Sequence, residues 1–292
     1  MEVNGMNIHV SDFDELVKQE WNYQGIGNGT NKTQLWLRSA NMDVTGGKIT
    51  TSDIDVLANY PDIKSVTISG LNQNTFEHFI HTYGNQLRFI EFFKNKAVED
   101  WSLLGTLPQL ECVYWFHNQK ITKLWDMSEN YALKAVVLRN FTKLHDLSGI
   151  EKAPAIEWFE FGDAVWDRSE IESLKPFKNT KIKRIDFYGK KIRDMDISFI
   201  PDMKNLEVFN FPSNHFTTQQ VAWLVAKCPK LIGDSLKPYI DSLLWNEQTN
   251  EDIPAANIVG KRKPTLSFTD NEERISKYVT DFENLVKKYH NE

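Results

Sequence analysis

Residues 87–95 read LRFIEFFKN, residues 110–118 read LECVYWFHN and residues 206–214 read LEVFNFPSN. In each nonamer apolar residues stand at positions one, four and six, and Asn stands at position nine. Positions four and six lie two residues apart, the period at which a β-strand turns its side chains to one face. Outward from these copies the pattern recurs in looser spelling, as Ile63, Val66 and Ile68, as Leu133, Val136 and Leu138, as Ile156, Phe159 and Phe161, and as Ile182, Ile185 and Phe187. The first positions of the seven copies, from Ile63 to Leu206, are separated by 24, 23, 23, 23, 26 and 24 residues. One strand with a short return cannot bury its apolar side alone, whereas stacked copies share a continuous core.

The form LxxLxLxxN, spread over roughly residues 35–231, resembles the strand segment of the leucine-rich-repeat family, with Ile, Val or Phe in place of many leucines. The resemblance implies an α/β fold: a right-handed solenoid with a parallel concave sheet, short helical convex segments and helical terminal caps. Such a motif carries a fold rather than a reaction. On this reading residues 1–34 form an N-terminal cap, residues 35–231 the solenoid, and residues 232–292 a C-terminal cap with an amphipathic helix. Seven strands spaced about 4.8 Å apart would make a ladder roughly 30 Å long, enough for a protein-sized surface.

Local signals fill in the turns. Asn95, Asn118 and Asn214 occupy corresponding positions where a side-chain amide can satisfy backbone groups, although Leu71, Phe141, Ala164 and Lys190 interrupt the series. Asp100, Asp146 and Asp194 recur in the return segments, suited to accept backbone N–H groups at the starts of short helical turns. Ser11 is expected to cap an early helix, and the Gly25, Gly27, Gly29 run reads as a turn rather than a phosphate loop. Leu35 and Leu37 read as a degenerate first strand, residues 41–51 as a loop, and residues 52–57 as a short capped helical segment. Val221, Leu224, Val225 and Cys228 suit a helix that Pro229 ends, residues 246–254 read as a polar connection, and Ile275, Tyr278, Phe282, Leu285 and Tyr289 mark an apolar stripe on a last helix.

If positions four and six face the core, positions three, five and seven face the concave surface. Those columns place Phe89, Trp158 and Arg184 at position three, Glu91, Tyr114, Glu160 and Asp186 at position five, and Phe93, Phe116, Arg139 and Tyr188 at position seven. Aromatic rings with Arg among them are the residue types of protein-interface anchors. The expected partner is another protein, bound without catalysis or cofactor. A noncatalytic carbohydrate-binding module, with sugars stacked on Trp158, Tyr114 and Tyr188, is the alternative, and an enzyme comes third.

Composition narrows the field. The chain has 292 residues, 12% of them aromatic, and a formal net charge of -6, so it has no strong bulk attraction to nucleic acid, whose reader would need a more continuous positive path, and nucleic acid is not the expected partner. No apolar run is long enough to span a membrane and no signal-peptide pattern opens the chain, which makes a cytoplasmic location the expectation. Two cysteines, Cys112 and Cys228, cannot build a disulfide framework or a four-thiolate zinc site. The seven histidines are dispersed, and the nearest approach to a catalytic pair is His117, expected to border the concave face beside Cys112 and Glu91. Glu91 and Glu160 sit three rungs apart, roughly 14 Å, too far for paired-carboxylate glycoside hydrolysis.

Overall fold

A computed structural model describes residues 34–37, 47–163, 168–247 and 250–292. The expected N-terminal cap, with Ser11 and the glycine run, lies outside these residues except for Gln34, and so does Ala164. Eight strands form one parallel sheet: β1 Gln34–Leu37, β2 Ser65–Ser69, β3 Phe89–Phe93, β4 Cys112–Asn118, β5 Ala135–Phe141, β6 Trp158–Gly162, β8 Arg184–Tyr188 and β10 Val208–Asn210. They lie side by side in chain order, and the two omitted numbers, β7 Glu170–Ile171 and β9 Lys191–Ile192, pair with each other on the return segments.

The register converts the repeat into rows. Position four runs Val66, Ile90, Val113, Val136, Phe159, Ile185 and Phe209 across the sheet, and position six runs Ile68, Phe92, Trp115, Leu138, Phe161 and Phe187. Every one of these side chains is buried in a single core, each contributing about 1.5–3 kcal/mol by leaving water. Aromatic rings fill the middle of that core. Phe92 stacks on Trp115 with centroids 4.1 Å apart, and Trp101 meets Trp115, Trp125 and Phe141 at 5.5, 4.9 and 5.6 Å.

The returns are mostly single 3-10 turns, Ser102–Thr106, Ile150–Lys152, Lys175–Phe177 and Ile200–Asp202. The aspartates act as the spacing suggests. Ser102 N–H donates to Asp100 Oδ1 at 2.8 Å, Ser148 N–H to Asp146 Oδ1 at 2.8 Å and Asp196 N–H to Asp194 Oδ1 at 3.2 Å. Asp126 does the same for Ser128, and that bond together with Lys152 draws its carboxyl down to about 2.

Several local expectations need correction. The helical segment expected at residues 52–57 starts one residue earlier: Thr50 caps α1 Thr51–Ile54 through a capping box with Asp53, so Thr51 belongs to the helix and not to the loop. The return between β2 and β3 is a full helix, α2 Gln73–Tyr83, capped by Asn72 and burying Phe76, Phe79 and Ile80. Asn95 and Asn118 are buried as expected, but Asn214 is exposed. Residues 246–254 are not a loose connection: β11 Tyr239–Asn246 and β12 Glu251–Ile258 form an antiparallel hairpin, to which β13 Thr265–Ser267 adds.

At the C-terminal end α3 Thr218–Lys227, capped by Thr217 and Gln220, covers the last turn. The final helix, α4 Glu272–Asn291, docks on α3 and on β12. Its Phe282 enters the main core while Ile275 joins Ala256, Ile258 and Leu266 in a smaller one. Among the described residues no helix is long and apolar enough to cross a membrane.

Candidate functional site

The other side of the parallel sheet carries three rows. Position three runs Ser65, Phe89, Cys112, Ala135, Trp158, Arg184 and Val208. Position five runs Thr67, Glu91, Tyr114, Val137, Glu160, Asp186 and Asn210, and position seven runs Ser69, Phe93, Phe116, Arg139, Gly162 and Tyr188. The eleven residues singled out from the sequence all fall on these rows.

Their exposure is uneven. Phe89 and Trp158 close over the small residues Cys112 and Ala135, and with Val137 they form a second buried cluster on this face, against which Tyr114 packs. Glu160 and Asp186 are also buried. These four large or charged side chains, Phe89, Trp158, Glu160 and Asp186, therefore support the surface from beneath. Phe93, Phe116, Arg139, Arg184 and Tyr188 stand above them, half-buried or exposed.

Hydrogen bonds and charge explain why the acids went under. Asp186 Oδ2 accepts from Trp158 Nε1 at 2.6 Å and from Arg184 Nε at 2.5 Å, while Oδ1 accepts from Asn210 Nδ2 at 2.7 Å. Glu160 Oε1 accepts from Arg139 Nε at 2.6 Å, and its burial pushes the carboxyl up against the pull of that guanidinium. A buried carboxylate survives only when it is paired and hydrogen-bonded in this way. Each guanidinium in turn lies over a ring, Arg184 over Trp158 at 5.3 Å and Arg139 over Tyr114 at 5.6 Å. The sequence columns placed Glu160 and Asp186 on the concave surface. What reaches the surface instead is arginine and aromatic area.

Glu91, toward the other end of row five, has Thr67 as its hydrogen-bond donor at 3.0 Å, and burial pushes its carboxyl up to about 7. In row seven Phe93 and Phe116 stack with centroids 5.2 Å apart. Gly162 then leaves a gap in that row. A Cβ there would come within 2.6 Å of the Tyr188 backbone, so only glycine fits where the two strands approach. The gap opens a recess of about 220 Å³ lined by Arg139, Glu160, Gly162, Asp163 and Tyr188. Tyr188 is 44% exposed, and partial burial with the Asp186 and Glu160 charges pushes its hydroxyl up to about 12.

The candidate catalytic pair separates. Cys112 begins β4 in row three, whereas His117 sits five residues on, roughly 16 Å along the strand, with a left-handed φ of 66°. His117 is buried, and that burial together with Lys96 and Lys94 lowers its affinity for a proton. Among the described residues neither cysteine is in a disulfide, and no group of three or more His, Cys, Asp or Glu could hold a metal ion.

No family model matches this sequence, and no curated protein matches it. Solved structures do match. The chain is similar to TLR13 in its complex with ssRNA13, at 14% identity and a TM-score of 0.50, over 64% of this chain and 26% of that one. It is also similar to an internalin, InlF, from Listeria monocytogenes str. 4b F2365, at 15% identity and a TM-score of 0.46, over 64% of this chain and 50% of that one. The chain thus spans half or less of the proteins it matches, and at such identities the likeness is one of fold. With one strand per repeat, a parallel ladder in chain order and 3-10 returns behind it, the chain has the fold of a leucine-rich-repeat-like solenoid.

Proposed function

We propose that the chain is a noncatalytic interaction module that holds a protein partner on the inner face of its parallel sheet, in an adaptor-like cytoplasmic role. The observation that carries this reading is the layered construction of rows three, five and seven. Buried Asp186 and Glu160 orient Arg184 and Arg139 from below, and the surface above consists of those guanidinium groups, the Phe93 and Phe116 stack and Tyr188. Arg and Tyr held in one geometry lose little side-chain freedom on binding, which is what an interface anchor needs. The recess at Gly162 offers room for a single partner side chain beside this anchor group.

Protein is favoured over carbohydrate by the same geometry. A sugar platform requires bare ring faces, but Trp158 is buried beneath Arg184 and Tyr114 carries Arg139 across its ring. The test is affinity capture with the full chain, then titration of each purified binder against wild type and against a combined Phe93→Ala, Phe116→Ala, Tyr188→Ala variant whose fold is verified by circular dichroism. Loss of the anchors should weaken the partner by 2 kcal/mol or more, about thirtyfold. Binders that hold the variant as tightly as the wild type would place the interface elsewhere.

A further inference from the structure

The small antiparallel sheet extends into an arm. Hairpin pairing runs from Tyr239 opposite Ile258 to Asn246 opposite Glu251, but β13 pairs only with Ala255, Ala256 and Asn257. Ile275 and Tyr278 of α4 pack on the same base, with Tyr239, Ile258 and Leu266. The outer half of the hairpin is left without such cover among the described residues. Leu243 is 61% and Trp245 57% exposed there, opposite the exposed Pro254 and Asp252.

β11 is also an edge strand, since β12 is its one sheet neighbour among the described residues. The hydrogen bonds at the hairpin's base show which backbone groups are open. Val259 N–H donates to Pro238 O at 3.0 Å, so Pro238 and Val259 are a bonded pair. Bonded pairs alternate along an antiparallel ladder. Ile240, Ser242, Leu244 and Asn246 therefore bond to β12, while Tyr239, Asp241, Leu243 and Trp245 turn their N–H and C=O groups outward. The far side of β12 keeps the same alternation: Phe268 N–H donates to Pro254 O at 3.2 Å and Ile258 N–H to Pro264 O at 3.1 Å. An open row of backbone donors and acceptors is a template for one more strand, and this one carries neither Lys nor Pro to blunt it.

Charge selects the occupant. Residues 239–258 contain Asp241, Glu247, Glu251 and Asp252 and no Lys or Arg. A second copy of the hairpin would bring these carboxylates against one another, whereas a cationic strand would neutralise them. We propose that β11 captures an extended basic segment of a partner protein as a fourth strand of this sheet, with aliphatic side chains over Leu243 and Trp245, and Lys or Arg toward Asp241 on that same face and toward Glu251 on the other. Backbone bonds supply the affinity in such strand addition, and alternate side chains supply the choice of sequence.

The experiment titrates a labelled peptide of repeating Lys-Lys-Val-Val, which sets both residue types on each face of a strand, into the full chain by fluorescence anisotropy. A Glu and Val peptide of the same length is the control, and amide hydrogen exchange is followed across β11. Saturable binding of the Lys peptide alone is expected, with slowed exchange at Tyr239, Asp241, Leu243 and Trp245. Leu243→Pro removes one outward N–H and no bond to β12, and should weaken binding about tenfold or more. Leu243→Lys keeps the N–H, adds a like charge to the edge, and serves if the proline variant does not fold. Equal binding of both peptides, unchanged exchange at the four amides, or full affinity in the folded variants would overturn the proposal. A concentration-dependent dimer abolished by Leu243→Pro in sedimentation would overturn it as well, by making a second copy the occupant.

Discussion

LECVYWFHN and LEVFNFPSN share their apolar spacing and their terminal Asn, yet they build different things. The first supplies the seven-residue strand β4, and its Asn118 is fully buried, donating to Asn95 O at 3.0 Å and Val98 O at 2.9 Å and accepting from Lys120 N at 2.8 Å and Ile121 N at 2.9 Å. The second supplies only the three residues of β10 before Pro212 arrives at position seven without an N–H for the ladder, and its Asn214 is exposed. Stitching between turns moves to position five, where Asn210 donates to Asp186 and accepts from Asp234 N at 3.2 Å. Apolar spacing is enough to seat a strand in the core. The role of the asparagine depends on whether the chain is still in the ladder when position nine is reached.

Substitutions sharpen that contrast. Asn118→Ala would strand two carbonyls and two amides in the interior and should cost at least about 3 kcal/mol in urea unfolding followed by circular dichroism. Asn214→Ala should stay within about 0.5 kcal/mol. Comparable losses at both sites would mean that the two nonamers are equivalent after all. Asn210→Ala should fall between them, at about 1–2 kcal/mol, since it removes one bond to a buried carboxylate and one to a backbone amide.

A pH-dependent effect concerns row five, whose two ends treat a carboxylate differently. Asp186 is held by Arg184, whereas Glu91 is raised by burial to about 7 from an ordinary 4.5. Between those values the folded state holds a proton that the unfolded state has released. Stability should therefore fall as pH rises from 4.5 to 7 and level off above. Glu91→Gln should remove that decline and leave the protein more stable than wild type at pH 8. An unchanged slope in thermal unfolding across this window would assign the decline to other groups.

The parallel sheet was legible because its signal is repeated: rows four and six could be read from the offsets alone, and rows three, five and seven followed. What lay on top of what was not legible. Two packing events, Phe89 and Trp158 closing over Cys112 and Ala135 from neighbouring strands, and Arg184 descending on Asp186 within β8, turned candidate contact residues into support. Both involve neighbours 23 or more residues away or rotamer choices that no column displays. The sheet at residues 239–267 escaped notice for a different reason. It occurs once, and β11, read as Tyr-Ile-Asp-Ser-Leu-Leu-Trp-Asn, has no alternation of apolar and polar residues to announce a strand. Helix α2 was readable in principle, from Phe76, Phe79, Ile80 and Tyr83 at helical spacing.

The clustered indoles of the middle repeats also make the molecule its own optical gauge. Trp101 meets Trp115 and Trp125 edge to face within 5.5 Å, in a fixed chiral arrangement whose transitions couple. Near-ultraviolet circular dichroism consequently reports the packing of the interior. Trp245, out on the hairpin arm, is exposed to solvent and to quenchers. Two spectroscopic channels in one unlabelled chain can thus follow the solenoid and its arm separately.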